Sequence, residues 1–215
     1  MTEELARGGS SGLSGRRGQA ARNDQVILES ARAVFLDDAK APIAAVAERA
    51  GVGISALYRR YPSKEELLRR LCHDGLRRFI AEAEAAHDEP DAWDALTGFL
   101  QRVVDADVHS LTVHLAGTFT PTPEMDDDAG RSGALLAGLV RRAHAGGRLR
   151  RDATAADMVL VLEGCSAIRV PDANRTRQLR RRHLALLLDG LAAGGGARLP
   201  GPAPRTDEMN WRWQR

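Results

Sequence analysis

The sequence predicts an all-α protein of about nine helices, a three-helix helix-turn-helix unit followed by a larger helical domain. Three observations carry this. Apolar residues recur at three- and four-residue spacing in segment after segment, and nowhere at the alternating spacing of strands. Aromatic residues make up only 4% of the chain against 43% hydrophobic, so the core must be Ala, Leu and Val, a composition that suits helices better than sheets. Gly, Pro and capping residues punctuate the periodic segments at their ends. No repeat of solenoid length is present.

The elements follow in order. The polar, Gly- and Ser-rich start, residues 1–21, reads as a flexible basic arm. The first helix is expected over Asn23–Leu36, with Ile27, Ala31, Val34 and Phe35 on one face. Pro42 opens the second at a position where a missing N–H costs nothing, and Ile43, Val46, Ala47 and Ala50 form its stripe. Gly51-Val52-Gly53 breaks it. A short third helix runs over Ile54–Tyr61 and stops at Pro62. Ser63-Lys64-Glu65-Glu66 is a capping box that starts a long fourth helix, fading near His87. A fifth helix is expected over Asp91–Val108 and a sixth over Ser110–Gly117. The seventh begins in Asp126–Asp128 and ends at Gly146-Gly147. Thr154 caps the eighth, which stops before Pro171. The ninth covers Asn174–Ala193, and residues 196–215 read as a tail. The domains are then 22–70 and 71–195.

Charge is segregated, although the net charge is only +2. Arg16–Lys64 holds nine basic and five acidic residues, a balance of +4. Glu82–Asp128 holds twelve acids and one base, and Arg131–Arg182 twelve Arg against four acids. A basic surface at one end suits a polyanion. Cys72 and Cys165 stand far apart in no metal or redox spacing, which favours a reducing compartment. No run approaches the ~18 apolar residues of a membrane span, and the polar start is unlike a signal peptide. A cytoplasmic location without membrane contact is expected.

The second and third helices and the Gly-containing turn form a helix-turn-helix by spacing. An ordinary αα-hairpin has the same spacing. In a DNA-binding unit the second helix enters the major groove. Leu57 and Tyr61 are then assigned to the core, leaving Ile54, Ser55, Ala56, Tyr58, Arg59 and Arg60 for the groove. Arg59 or Arg60 can pair bidentately with guanine, a contact worth ~1–3 kcal/mol of discrimination. Ile54 and Ala56 can meet a thymine methyl. Arg16, Arg17 and Arg22 can reach the minor groove or the backbone, or remain a solvated tail.

The run Ile43-Ala-Ala-Val-Ala-Glu-Arg-Ala-Gly-Val-Gly-Ile-Ser-Ala-Leu-Tyr-Arg-Arg-Tyr-Pro-Ser-Lys-Glu-Glu-Leu67 resembles the core signature of the tetracycline-repressor (TetR) family. The resemblance covers about Val26–Leu71, with an echo in Gly147-Arg-Leu-Arg-Arg-Asp-Ala-Thr-Ala-Ala-Asp157. It implies a homodimer, an effector pocket in the C-terminal domain and repression of transcription. By resemblance Tyr58 and Lys64 each meet a phosphate. The sequence departs from the family pattern at Asp37-Asp38-Ala39, which replaces a Gly-containing loop, and at Ser55-Ala56. At Arg60 the family often has His or Tyr.

For the rest of the chain, Trp93, Phe99, Val103, Phe119, Leu139, Met158 and Leu162 are candidates for lining an effector pocket, with plain core as the competing role. Leu184, Leu187, Leu188 and Leu191 form a stripe suited to a dimer interface. The partners expected are double-stranded operator DNA, a second copy of the chain and a small-molecule effector. No cofactor or metal is expected. Asp105, His109 and His114 have loose metal-ligand spacing, but a solvated acidic helix with a pocket His is the favoured reading. No nucleophile motif, phosphate loop or HExxH is present, so an enzyme is not expected. A redox sensor using Cys165 or Cys72 is the alternative regulator, against the inert packing usual for buried Cys.

Overall fold

The computed structural model describes residues 10–194 and 197–209, with side chains from Ala21 onward apart from those of 206 and 207. The elements are α1 (Ser10–Asp37), α2 (Ile43–Ala50), α3 (Ile54–Arg60), α4 (Lys64–His87), α5 (Ala92–Asp105), α6 (Val108–Leu115), α7 (Pro123–Ala145), α8 (Ala155–Ala167), α9 (Ala173–Leu191) and α10 (Thr206–Met209). The described residues contain no strand, and the sole β-type pairing among them is an isolated bridge between Leu149 and Ala192. The chain divides into two compact units, Met1–Leu67 and Leu68–Arg215. The division falls inside α4, after its first turn.

In the first unit α1 packs on α2 and α2 on α3. Ile27, Ala31, Phe35, Ile43, Val46, Ala47, Leu57 and Tyr61 form the buried set. Pro42 is the N-cap of α2, with φ −69° and ψ 152°, rather than its first helical residue as the sequence suggested. Its extended ψ lies one position outside the helical region. Gly51 ends α2 at φ 66°, and its N–H reaches the carbonyls of Ala47 and Glu48. A side chain would be strained at that φ, so the αL cap selects Gly. Ser63 Oγ accepts the N–H of Glu66 at 3.1 Å, which satisfies one of the free donors at the start of α4.

α1 is longer than the apolar pattern indicates. Its backbone is helical from Ser10, through much of the stretch expected to be a flexible arm. Local propensity did not forecast this, because Gly and Ser weaken a helix and no apolar stripe marks it.

In the second unit α5 packs on α7 and α9, and α8 on α6, α7 and α9. Leu96, Phe99, Leu100, Val103, Leu139, Met158, Leu162 and Leu184 are buried in one core. Thr154 forms a full capping box with Asp157 at the start of α8. Asp172 caps α9 by accepting the N–H groups of Asn174 and Arg175. The helix expected over Asp91–Val108 stops at Asp105. Asp107 then takes φ 51°, and a new helix starts at Val108. A buried arginine explains the corner. Arg180, on α9, pairs with the Asp107 carboxylate, and it donates to the carbonyls of Ile168 at 2.9 Å and Ser166 at 3.1 Å. One guanidinium thereby holds the α5–α6 junction and closes the C-terminal end of α8, whose last carbonyls lack helical partners. Thr122 caps α7, which starts at Pro123 rather than in the acidic run behind it.

The segregated charges of the sequence pair within this unit. Arg102 meets Glu82, Arg131 meets Glu84, Arg148 meets Asp91, Arg180 meets Asp107 and Arg181 meets Asp105. Arg131, Arg148, Arg180 and Arg181 of the basic segment thus neutralise part of the acidic segment before it.

Candidate functional site

The outward face of α3 follows from the burial of one residue. Leu57 has no exposed surface, and at 100° per residue the positions two away on either side, Ser55 and Arg59, lie opposite it. Both are exposed, and so are the flanking Ala56 and Tyr58. Ile54 and Tyr58 are 40% and 46% exposed, which is high for large apolar-bodied side chains. Arg22 is also exposed, whereas Arg16 and Arg17 lie outside the residues whose side chains are described.

Arg59 and Arg60 differ, although they are neighbours. Arg60 lies on the flank of α3 toward α1. Its Nε donates to Asp24 Oδ1 at 2.8 Å and its Nη2 to Oδ2 at 3.0 Å, and the Tyr61 hydroxyl donates to the same carboxylate at 2.7 Å. The hydrogen bond and charge of Asp24 hold the guanidinium even further above neutrality than usual. Arg59 makes no ion pair among the described residues. Asp24 was not singled out from the sequence. Only its helical position, turned toward the end of α3, could have signalled it.

Lys64 is partly occupied. Its Nζ donates to the carbonyls of Ala39 and Ala41 at 3.0 and 2.7 Å and lies 5.1 Å from the centre of the Phe35 ring. Burial lowers its pKa, against the opposing charge of Asp38. An ammonium has three donors, so one remains after the α1–α2 loop is bound.

In the second unit the expected pocket residues are mostly core. Phe99, Val103, Leu139, Met158 and Leu162 are essentially without exposed surface, Phe119 is buried, and Trp93 is partly covered with Arg148 over its ring. Val103 and Leu162 of this set line a cavity of about 10 Å³ that they share with Asp107, Cys165 and Arg180. That volume holds about one water molecule. A larger, open groove of about 380 Å³ lies between α4 and α7, lined by Arg77, Glu84, Glu124, Asp128 and Arg131 among others. His73 Nε2 lies 2.9 Å from Asp128, and Arg77 pairs with Glu124 at 2.6 Å.

The leucine stripe of α9 faces inward. Leu184, Leu188 and Leu191 are buried in the chain's own core and Leu187 packs against it. The exposed leucines of α8 and α9 are Leu160 and Leu186. Helical periodicity marks an apolar stripe but does not say which body covers it. Burial pushes the Cys165 thiol up to about 11, with Arg180 opposing, and Cys72 is buried as well. Asp105 is engaged by Arg181 and His114 is exposed. No group of three or more His, Cys, Asp or Glu suited to a metal ion occurs among the described residues, and no described helix is long and apolar enough to cross a membrane.

Residues 27–71 match the family described as "Bacterial regulatory proteins, tetR family", and residues 91–193 match the "Transcriptional regulator SbtR-like, C-terminal domain" family. No curated protein matches the chain at a significant level. Among solved structures, a TetR transcriptional regulator from Streptomyces coelicolor is 25% identical, with a TM-score of 0.57 over 80% of this chain and 99% of that one. A TetR regulatory protein from Mycobacterium vanbaalenii is also 25% identical, with a TM-score of 0.55 over 82% and 99%. LfrR from Mycobacterium smegmatis, solved in complex with proflavine, shares the fold at 22% identity and a TM-score of 0.61, over 83% and 99%. The N-terminal helix-turn-helix match, the C-terminal match and these near full-length likenesses agree with the all-helical architecture, and the chain belongs to the TetR family of DNA-binding transcriptional regulators.

Proposed function

We propose that the protein is a cytoplasmic homodimeric repressor that holds a palindromic operator with α3 and lets it go when a small molecule binds the second unit. The observation that carries this reading is the outward face of α3. Ser55, Ala56, Tyr58 and Arg59 are exposed around a helix whose opposite residue, Leu57, is fully buried. Arg59 reads a base, because it faces directly away from the core and its forked donors match guanine O6 and N7. Tyr58 and the remaining donor of Lys64 meet phosphates, which fix the register. Arg22 adds to the basic surface.

Dimerisation uses α8 and α9, with Leu160 and Leu186 in place of the inward leucines as the apolar contacts. Two such helix pairs make a four-helix interface. For the effector, support comes from LfrR, which holds proflavine in its solved structure. A ligand held beside Val103 and Leu162 has to open the core there, since the cavity next to them is only about 10 Å³. The thiol-sensor reading is disfavoured, because a thiol pushed up to about 11 carries little of the reactive thiolate at neutral pH.

Selection of binding sites from random duplex DNA, followed by footprinting, tests the proposal. The expected product is a palindrome whose half-sites lie about one helical turn, ~10 bp, or a multiple of it apart. Failure to enrich any sequence, or enrichment of a single unrepeated site, would overturn the dimeric repressor.

A further inference from the structure

We propose that Asp24 is a specificity-determining residue, one that cancels the long-range pull of Arg60 on DNA while fixing the direction of its hydrogen bonds. The inference rests on α3 as the DNA-reading helix. A guanidinium has five N–H donors in a fixed plane. Asp24 takes the side-on edge, Nε and one Nη2 hydrogen, at 2.8 and 3.0 Å. The end-on edge, one hydrogen each from Nη1 and Nη2, is left over on a side chain that is 56% exposed. The carboxylate itself is only 12% exposed, and the Tyr61 hydroxyl at 2.7 Å fixes it from a second side. Arg60 is therefore aimed but close to neutral as a pair, whereas Arg59 keeps its charge.

The consequence concerns which DNA is bound. Non-specific affinity is supplied essentially by cations that displace counterions from phosphates. A cation paired at contact distance adds little attraction beyond a Debye length, ~8–10 Å in ordinary salt. It still forms hydrogen bonds where an acceptor meets its free edge. Asp24 thus suppresses binding to arbitrary sequence more than binding to the operator, and the ratio between the two decides function in a genome.

The experiment is a salt titration of operator and scrambled duplex between 50 and 200 mM KCl, with wild type, Asp24→Asn, Arg60→Ala and the double variant. Asp24→Asn keeps an acceptor for Arg60 and Tyr61 but removes the charge. It is expected to steepen the log–log salt slope on scrambled DNA by about 0.9, one extra phosphate, which is roughly a threefold change across this range. The operator-to-scrambled ratio should fall with it. In the Arg60→Ala background the same substitution should change neither quantity. Glu29→Gln, an exposed acid on the same helix, controls for net charge and should leave the ratio unchanged; thermal unfolding checks that each variant is folded. An unchanged Asp24→Asn slope, an effect that persists without Arg60, or an equal effect from Glu29→Gln overturns the inference. Wild-type protein without salt-dependent DNA binding overturns the recognition-helix reading and this inference with it.

Discussion

Two of the arginine–aspartate pairs in this chain do different things, because the guanidinium of one is wet and that of the other is dry. Arg60 and Asp24 join α3 to α1 with a guanidinium that is 56% exposed. Arg180 and Asp107 join α9 to the α5–α6 corner with a guanidinium that is 7% exposed. An exposed guanidinium gains little from its partner, since water solvates it when the two part, although the Asp24 carboxylate beneath it is only 12% exposed. A buried pair cannot be half removed, since the remaining charge has nowhere to go. The first pair is therefore free to serve recognition, and the second is committed to the fold. The same contrast separates Arg180 and Arg181 of α9, which meet acids of the chain itself, from Arg59, which makes no ion pair among the described residues.

The sharpest way to break the comparison is to remove one partner of the dry pair. Asp107→Ala leaves Arg180 uncompensated and places Ala at φ 51°. About 3–5 kcal/mol of stability should be lost in chemical denaturation, and Asp107→Asn, which tolerates that backbone, should cost less. A loss below 1 kcal/mol for Asp107→Ala would mean that Arg180 finds water or another acceptor. Next in size, Leu57→Ala removes a fully buried side chain from the first unit. It should cost about 2–5 kcal/mol and abolish DNA binding through unfolding rather than through contact. Asp24→Ala should cost less, about 1–2 kcal/mol, because Arg60 can turn to water while the buried Tyr61 hydroxyl loses this acceptor. Thr154→Ala removes the side-chain half of the α8 capping box and should lower stability by about 1 kcal/mol without altering DNA binding. The smallest expected effect is on the thiols. With Cys165 pushed up to about 11 and Cys72 buried, mild oxidant at pH 7 should leave operator affinity unchanged, and release of DNA reversed by reductant would restore the redox reading.

Signals that act within a few residues were legible in the sequence. Gly51, Ser63 and Thr154 end or start their helices where they were expected to, each by a hydrogen bond or a φ that its residue type favours. Leu57 and Tyr61 were assigned to the core and are buried. Relations across the fold were not legible. Nothing local predicts that Arg180 would cap α8 and pin Asp107, so the break after Asp105 was missed. The leucines of α9 had the right spacing for an interface, and the chain's own core took them. The candidate pocket residues were chosen for size, and size also fits them to close packing, which leaves about 10 Å³ beside two of them. On α3 the sequence offered Arg59 and Arg60 as equals, and only the Asp24 carboxylate, 36 positions from Arg60, separates them.

The central claim is that the outward face of α3, with Arg59 at its middle, reads DNA sequence. It is tested most directly by comparing wild type and Arg59→Ala on the selected operator and on single-base variants of it. The account predicts that Arg59→Ala loses ~1–3 kcal/mol of discrimination at one base pair per half-site, about 5- to 150-fold, while its thermal unfolding matches wild type. Retention of full discrimination at every position by a folded Arg59→Ala protein would contradict it.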